Sequence, residues 1–130
     1  MLHQRTSVKM TKTVLIVEDN AMNMRLFNDL LQAHDYNTVQ TGTGHDAAQL
    51  AHDHKPDLVI LDIQLPEISG LDIARQFKAD ATLKDIPLLA ITAFAMKGDE
   101  ENFLSQGCDG YLSKPISVPV FLEKIAYFLQ

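Results

Sequence analysis

Leu58-Val59-Ile60-Leu61-Asp62 is the stretch on which the fold depends: four aliphatic residues in a row, followed by a carboxylate. The run follows the turn residues Lys55-Pro56-Asp57, and its lack of alternation predicts a strand buried on both faces, as in a parallel sheet covered by helices. Ligands of such sheets bind beyond the carboxyl ends of the strands, where Asp62 lies. Taken alone, an Asp at this place is more often a residue that begins a loop or caps a turn.

Aliphatic runs and helical patterns alternate along the rest of the chain. Further strands are predicted at residues 14–17, 36–40, 86–92 and 109–113, and helices at residues 21–34, 46–54, 71–79 and 97–106 and from residue 117 onward. A strand followed by a helix, five times over, predicts an α/β fold with one doubly wound five-stranded parallel sheet. The strand order 2-1-3-4-5 is the flavodoxin-like arrangement of this class.

The apolar spacing also predicts which helix faces pack against the sheet. The inner face of the first helix is predicted to contain Leu26, Phe27, Leu30 and Leu31, and that of the last helix Val118, Phe121, Leu122, Ile125 and Leu129. The helix over residues 97–106 has few apolar residues besides Phe103 and Leu104. A helix with so few apolar residues is predicted to pack only weakly against the sheet.

Charge and composition narrow the function classes. The 130 residues include 11 basic and 17 acidic side chains, and the net charge of −6 argues against nucleic acid or an anionic membrane as the main partner. The only cysteine, Cys108, has no internal disulfide partner. The first residues lack the apolar core of a secretory signal, and no apolar run approaches the ~20 residues of a membrane-spanning helix. We expect a cytoplasmic protein with one domain over residues 12–130, a disordered extension or tag over residues 1–11, and no attached output domain.

In the order 2-1-3-4-5, the first and third strands are neighbours, and their ends bring Glu18, Asp19 and Asp62 together. Two carboxylates ~4 Å apart repel by about 4 kcal/mol at an effective dielectric constant near 20. The cluster therefore implies a cation, and an open site of oxygen ligands favours Mg²⁺. Thr92, Lys114 and the backbone amides after Asp62 and Thr92 would add donors at the same edge. These groups suit transfer of a phosphoryl group onto a carboxylate oxygen of Asp62.

Other functions remain open from these residues alone. A phosphohydrolase of the haloacid dehalogenase type would need a second acid two positions after the nucleophile, where this chain has Gln64. A flavodoxin-like nucleotide binder would need a phosphate loop after the first strand, where Glu18 and Asp19 would repel a phosphate. A scaffold that does not depend on phosphorylation could share the fold but has no need for all of the pocket groups.

Four motifs resemble those of a known family: Val17-Glu18-Asp19-Asn20, Leu61-Asp62-Ile63-Gln64-Leu65-Pro66 with Gly70, Ile91-Thr92-Ala93, and Gly110-Tyr111-Leu112-Ser113-Lys114-Pro115. In this order, along residues 12–130, they resemble the receiver domain of two-component response regulators. Residues 65–70 and 92–100 resemble single-domain regulators of cell division. The resemblance implies a CheY-like (βα)5 fold and a stand-alone response regulator, not an enzyme, that signals through phosphorylation-dependent protein contacts in cell-cycle or cell-division control.

The resemblance also assigns roles to individual residues. Asp62 would be the phosphoacceptor, and a phosphohistidine of a sensor histidine kinase or a histidine phosphotransferase would be the donor. Lys114 would contact the phosphoryl group, and Thr92 and Tyr111 would form the switch pair. Two features would be structural, namely Gly70 and a cis peptide bond before Pro115.

The metal and the lifetime of the phosphoryl group follow from the same resemblance. Asp19, Asp62 and the backbone carbonyl of Gln64 would bind Mg²⁺, for which Mn²⁺ could substitute. Glu18, which stands where many receivers have Asp, would reach the ion through water. Gln64 and Phe94 occupy positions that influence how long the phosphoryl group survives. Because Phe94 offers no hydrogen bond to an attacking water, we expect self-dephosphorylation to be slow.

Partners are assigned to two surfaces. The helix that begins at Lys97 and ends at Gln106, together with Tyr111 and the last helix, would form the output surface. Met22 and Met24 are candidates for contact with the kinase, although packing within the protein explains these two residues equally well.

Overall fold

The computed structural model describes residues 11–93 and 98–130. In chain order the elements are β1 (Thr13–Val17), α1 (Ala21–Ala33), β2 (Asn37–Thr41), α2 (Ala47–His54), β3 (Leu58–Asp62), α3 (Gly70–Ala79), β4 (Leu88–Thr92), α4 (Asp99–Ser105), β5 (Gly110–Ser113) and α5 (Val118–Leu129), with a 3₁₀ turn (Gly44–Asp46) before α2. The predicted extension over residues 1–11, apart from Thr11, lies outside the described residues, as do Phe94 and Lys97.

The described strands form one parallel sheet in the order β2-β1-β3-β4-β5. The predicted doubly wound α/β fold and its strand order are therefore confirmed. Every residue of β3 and β4 is buried, because helices cover both faces of the sheet. A continuous aliphatic run supplies apolar side chains to the helices on each face. The edge strand β2 instead exposes Asn37 and Gln40.

Side chains of the same strand point alternately to two hydrophobic cores. On one face of the sheet, Leu15, Val59 and Leu61 pack with α2, α3 and α4, whose buried residues include Phe77 and Phe103. The neighbouring positions on β1 and β3 point to the other face. Because both faces are covered, β3 and β4 are aliphatic up to their last residues, Asp62 and Thr92, which lie at the carboxyl edge of the sheet.

The second core lies between the sheet and the helices α1 and α5. The rings of Phe27 on α1 and Phe121 on α5 stack there, with their centroids 5.3 Å apart. The strand residues that pack against these helices are Val14, Ile16, Leu58, Ile60, Leu89 and Ile91. Of the described helices, two therefore cover one face of the sheet and three cover the other, as a doubly wound fold requires.

Two residues of the predicted inner faces are exposed in the structure. Leu26 is 39% exposed and Val118 is 38% exposed, so the prediction that they pack inward is wrong. Leu26 is rotated by about 100° around the helix from the fully buried Phe27, which places it at the margin of the contact. Val118 is the first residue of α5, before Phe121 reaches the core. The buried faces of α1 and α5 are therefore narrower than the apolar spacing predicted.

The helix α4 is short, and its one buried residue is Phe103. The sequence predicted a helix up to Gln106, whereas α4 ends at Ser105 and Gln106 caps it. Glycines in the left-handed region flank the helix, Gly98 with φ of 91° and Gly107 with φ of 113°, a conformation that glycine adopts without the strain imposed by a Cβ atom. Among the described helices, none combines the length and the apolar character needed to cross a membrane.

Cys108 lies between α4 and β5 in the core that contains Phe77 and Phe103. Its side chain is buried, and this burial raises the pKa of the thiol to about 11. The thiolate is the reactive form of cysteine. The thiol therefore stays protonated and shielded near neutral pH.

Gly70 begins α3 directly against the end of β3. Its backbone N–H donates to the carbonyl oxygen of Ile63 at 3.0 Å. A Cβ atom at this position would lie 2.5 Å from the carbonyl oxygen of Asp62 and 2.7 Å from the Cα atom of Ile63. Because these are backbone atoms, a larger residue could be accommodated only by moving α3 or the end of β3.

We expect Gly70→Ala to lower the free energy of unfolding by about 1–3 kcal/mol, the usual cost of overpacking, even though alanine favours helix more than glycine does. Urea unfolding followed by circular dichroism measures this. Gly42→Ala is the matched control, because its Cβ atom would meet only the carbonyl oxygen of Glu18, at 3.8 Å. Equal stability of the two variants would contradict the prediction.

Candidate functional site

The acids of the first and third strands meet at the carboxyl edge of the sheet. Val17 of β1 is in register with Leu61 of β3, so the residues that follow them, Glu18 and Asp62, lie at the same level. One carboxylate oxygen from each of Glu18, Asp19 and Asp62 lies within 4.8 Å of the others. The structure therefore brings together the three acids that the sequence placed at this edge.

The three carboxylates differ in their access to solvent. Glu18 and Asp62 are buried, with 2% and 3% of their surface exposed, whereas Asp19 is exposed. Asp19 is therefore the acid of the cluster that faces solvent. The exposed acid lies at the solvent side of the cluster, and the two buried acids form its floor.

Lys114 supplies the positive charge next to this floor. Its Nζ atom lies 3.2 Å from Asp62 Oδ2 and 3.2 Å from Glu18 Oε1. Burial lowers the pKa of the Lys114 ammonium, but the carboxylates of Asp62 and Glu18 outweigh that effect, and the pKa lies above its usual value. The backbone N–H of Lys114 donates to the carbonyl oxygen of Thr92 at 2.8 Å, and the bond to Pro115 is cis.

Glu18 is in an environment that disfavours its ionised form. Burial raises the pKa of its carboxyl group to about 7, and Asp62 adds to this effect, while the backbone N–H of Asn20 and the Lys114 ammonium oppose it. The Asn20 N–H donates to Glu18 Oε2 at 3.1 Å. Among the buried side-chain atoms of the described residues, Glu18 Oε1 is the one without a hydrogen bond of good geometry. The Lys114 ammonium approaches this oxygen as an ion pair and satisfies it only in part.

The residues present fit a hard divalent cation. Three carboxylates against one ammonium leave two formal negative charges when all are ionised. Oxygen-only sites with one open side suit Mg²⁺, which keeps several of its waters. Glu18 Oε1 is consistent with a cation at this place as well. A buried acceptor without a hydrogen bond is costly, and a nearby positive charge would reduce that cost.

The backbone N–H groups that follow Asp62 and Thr92 were expected to act as donors to a phosphoryl group, but in the structure they already have partners. The Ile63 N–H donates to the carbonyl oxygen of Ile91 and so belongs to the sheet. The next amide, that of Gln64, donates to Asp62 Oδ1 at 3.0 Å. The Ala93 N–H, which follows Thr92, donates to the side-chain Oε1 of Gln64 at 3.1 Å. Sequence reasoning missed this last contact, because nothing in the sequence signals a pair that is 29 residues apart.

Thr92 and Tyr111 point to the same face of the sheet. Thr92 is in register with Ser113, and Ala90 with Tyr111, and residues two apart on a strand share a face. Thr92 is buried, whereas Tyr111 is half-buried and its ring lies 5.3 Å from that of Phe103 in α4. Burial raises the pKa of the Tyr111 hydroxyl, and two acids at the start of α4, Asp99 and Glu100, raise it further.

A second contact near the site was also missed. His45 Nε2 lies 3.2 Å from Glu67 Oε1, which joins the turn before α2 to the loop before α3. Both side chains are largely exposed, so the pair is a surface contact of small energy. Neither residue type nor spacing could have indicated it, because the two loops meet only in the folded chain.

Comparison with known families gives one match that covers most of the chain. Residues 14–126 match the family described as the response regulator receiver domain. The polar-differentiation response regulators DivK of Brucella ovis and Brucella suis are each 55% identical to this chain over 120 residues, which cover 92% of this chain and 98% of each relative.

Solved structures with the same fold include receiver domains. The receiver domain of a sensor histidine kinase from Pseudomonas aeruginosa PAO1, with a magnesium ion coordinated in its active-site cleft, is 28% identical with a TM-score of 0.83, covering 92% of this chain and 98% of that one. The BeF3-activated N-terminal receiver domain of RstA from Klebsiella pneumoniae is 26% identical with a TM-score of 0.84, covering 91% of this chain and 98% of that one.

We expect Mg²⁺ to raise the thermal unfolding midpoint, because an ion that binds only the folded state stabilises it, by about 2.7 kcal/mol at a concentration 100 times its Kd. Asp19→Asn should lose most of this effect, and without Mg²⁺ it should be at least as stable as the wild type, because one repulsive charge is gone. Thermal unfolding with and without Mg²⁺ measures both quantities.

The matched control is Asp53→Asn, which removes an exposed carboxylate on α2, away from the cluster. This variant should respond to Mg²⁺ as the wild type does. An Asp19→Asn protein with an undiminished response to Mg²⁺ would show that the cluster is not the binding site.

Proposed function

This chain belongs to the response regulator receiver domain family, and we propose that it accepts a phosphoryl group on Asp62 from a phosphohistidine of a sensor histidine kinase or a histidine phosphotransferase. The observation that supports this proposal is the position of the Asp62 carboxylate, beside Lys114 Nζ and within 4.8 Å of two further acids. A nucleophile, a cation beside it and a candidate metal cluster are the groups that phosphoryl transfer requires.

The transfer follows from the chemistry of these groups. A carboxylate oxygen of Asp62 attacks the phosphorus atom and forms a new O–P bond, while the P–N bond of the phosphohistidine breaks and its electron pair stays on the imidazole nitrogen. Lys114, 3.2 Å from Asp62 Oδ2, offers its positive charge to the phosphoryl oxygens. The burial of Asp62 and Glu18 strengthens these electrostatic contacts, because the effective dielectric constant is lower there than in water.

We propose that Asp19, Asp62 and the backbone carbonyl of Gln64 hold a Mg²⁺ ion and that Glu18 reaches it through water. A bound Mg²⁺ supplies positive charge that neutralises the phosphoryl oxygens during transfer. Mn²⁺ should substitute, because it also prefers carboxylate, carbonyl and water ligands. The cluster of three carboxylates supports this proposal.

The output of the switch is proposed to pass through α4. A phosphoryl group on Asp62 would draw the Thr92 hydroxyl toward it, and Tyr111 would turn into the space that Thr92 leaves. Because Tyr111 contacts Phe103, the one buried residue of α4, its rotation would change the packing of that helix. The proposed output surface is α4 up to Gln106, Tyr111 and α5.

Exposed apolar side chains support two protein-binding surfaces. Leu104 on α4 and Tyr127 on α5 are exposed, and both helices belong to the proposed output surface. Met22, at the start of α1, is 82% exposed and follows the acids of the site by a few residues, so it is proposed to contact the kinase. Met24 instead packs against the core, which favours a packing role for that residue.

By its similarity to the DivK relatives, we propose that the protein acts in polar differentiation and cell division. We further propose that it works in the cytoplasm as a stand-alone regulator, that it signals through protein contacts and not as an enzyme, and that it binds neither nucleic acid nor membrane. The net charge of −6 supports the exclusion of nucleic acid.

Incubation with acetyl phosphate and Mg²⁺ should add one phosphoryl group to the wild type, as measured by intact-protein mass. Asp62→Asn should remain unmodified, and omission of Mg²⁺ should strongly reduce the reaction. Asp85→Asn is the matched control, because Asp85 is exposed and precedes β4 at the opposite edge of the sheet. Equal modification of the Asp62→Asn protein and the wild type would disprove the assignment.

The phosphorylated protein should lose its phosphoryl group slowly in the absence of a phosphatase. This expectation follows from the sequence, since Phe94 offers no hydrogen bond to an attacking water. The decay of the phosphorylated mass after removal of acetyl phosphate measures the lifetime. A half-life of seconds would contradict the prediction.

A further inference from the structure

The Ala93 amide at the carboxyl end of β4 is held by a side chain that does not belong to the acid cluster. Its N–H donates to Gln64 Oε1 at 3.1 Å. Gln64 follows β3 and Ala93 follows β4, so the contact bridges the ends of two neighbouring strands. Both residues are exposed, and the contact therefore lies at the mouth of the site.

The other donors at this edge are held in different ways. The Ile63 amide is fixed in the sheet by its bond to Ile91, and the Gln64 amide already donates to the phosphoacceptor carboxylate. An exposed glutamine side chain, in contrast, can exchange the Ala93 amide for water at the modest net cost of one neutral hydrogen bond. Of these three amide hydrogen bonds, the one from Ala93 is therefore the one that a ligand can replace most easily.

We propose that the Gln64 side chain is a competitor built into the site, which occupies the Ala93 amide until a phosphoryl group on Asp62 displaces it. The inference rests on the proposed function, since it requires a phosphoryl group at Asp62. Gln64 is a positioning residue here, because its side chain acts through the Ala93 amide and not on the reacting atoms.

The charge of the competing acceptors sets the direction of the exchange. The Gln64 oxygen is a neutral acceptor, whereas the phosphoryl oxygens are ionised, and hydrogen bonds to ionised acceptors are roughly twice as strong. The phosphoryl group therefore displaces the glutamine, but it must first break the existing bond. Removal of the competitor should increase the affinity of the site by about twofold to tenfold, the range expected for one neutral hydrogen bond.

Gln64→Met tests this inference, because methionine has a similar length but lacks the amide oxygen, while the backbone carbonyl proposed to bind the metal is kept. Gln64→Ala is a second variant without the acceptor. Gln49→Met makes the same exchange on the exposed face of α2 and is the matched control. The probe is beryllofluoride, a mimic of the phosphoryl group, titrated at saturating Mg²⁺.

Two measurements are needed. In the protein without beryllofluoride, the amide proton of Ala93 should shift in the NMR spectrum and exchange faster with solvent in both Gln64 variants, but not in Gln49→Met. With beryllofluoride, both Gln64 variants should bind about twofold to tenfold more tightly than the wild type, and Gln49→Met should bind as the wild type does.

The outcomes separate this inference from the proposed function. An Ala93 amide signal that is the same in the wild type and the Gln64 variants would show that the hydrogen bond does not form, and it would overturn the inference. Equal or weaker beryllofluoride binding by the Gln64 variants would also overturn it while leaving the proposed function intact. Failure of the wild type itself to bind beryllofluoride would overturn both.

Discussion

Lys114 Nζ lies 3.2 Å from both Asp62 Oδ2 and Glu18 Oε1, and these contacts allow buried carboxylates at the ends of two neighbouring strands to lie side by side. Removal of one partner from a buried ion pair typically costs about 3–5 kcal/mol, because the other charge is left uncompensated. One ammonium does not neutralise three acids, however. The charge that remains is what makes the edge a site for a cation and a phosphoryl group.

The buried strands of the sheet hold the acids in fixed positions, whereas the helix α4 is held more weakly and can move. The strands β3 and β4 are buried along their whole length, and α1 and α5 are joined by the stacked rings of Phe27 and Phe121. The helix α4, in contrast, rests on the sheet through Phe103. A change at the phosphoacceptor can therefore alter the packing of α4 without disturbing the strands that position the acids.

Most of the fold, and the edge of the sheet at which the site lies, could be predicted from the sequence, because they depend on local patterns. Continuous aliphatic runs indicate buried strands, and the acid after each run indicates the edge at which Glu18 and Asp62 meet. The features that could not be predicted depend on how a helix is rotated against the sheet and on contacts between residues that are far apart in the sequence. The exposure of Leu26 is decided by how α1 is rotated against the sheet, and the contact of Gln64 with Ala93 forms only once two loops are adjacent. The use of the Ile63 amide within the sheet was likewise decided by strand register.

The burial of Cys108 has a practical consequence. Since it is the only cysteine in the sequence and burial raises the pKa of its thiol to about 11, maleimide reagents at neutral pH should leave the native protein largely unlabelled. A cysteine introduced on the surface of α4 or α5 could then carry a fluorophore without removal of the natural one. Movement of either helix could be followed by fluorescence in an otherwise unaltered protein.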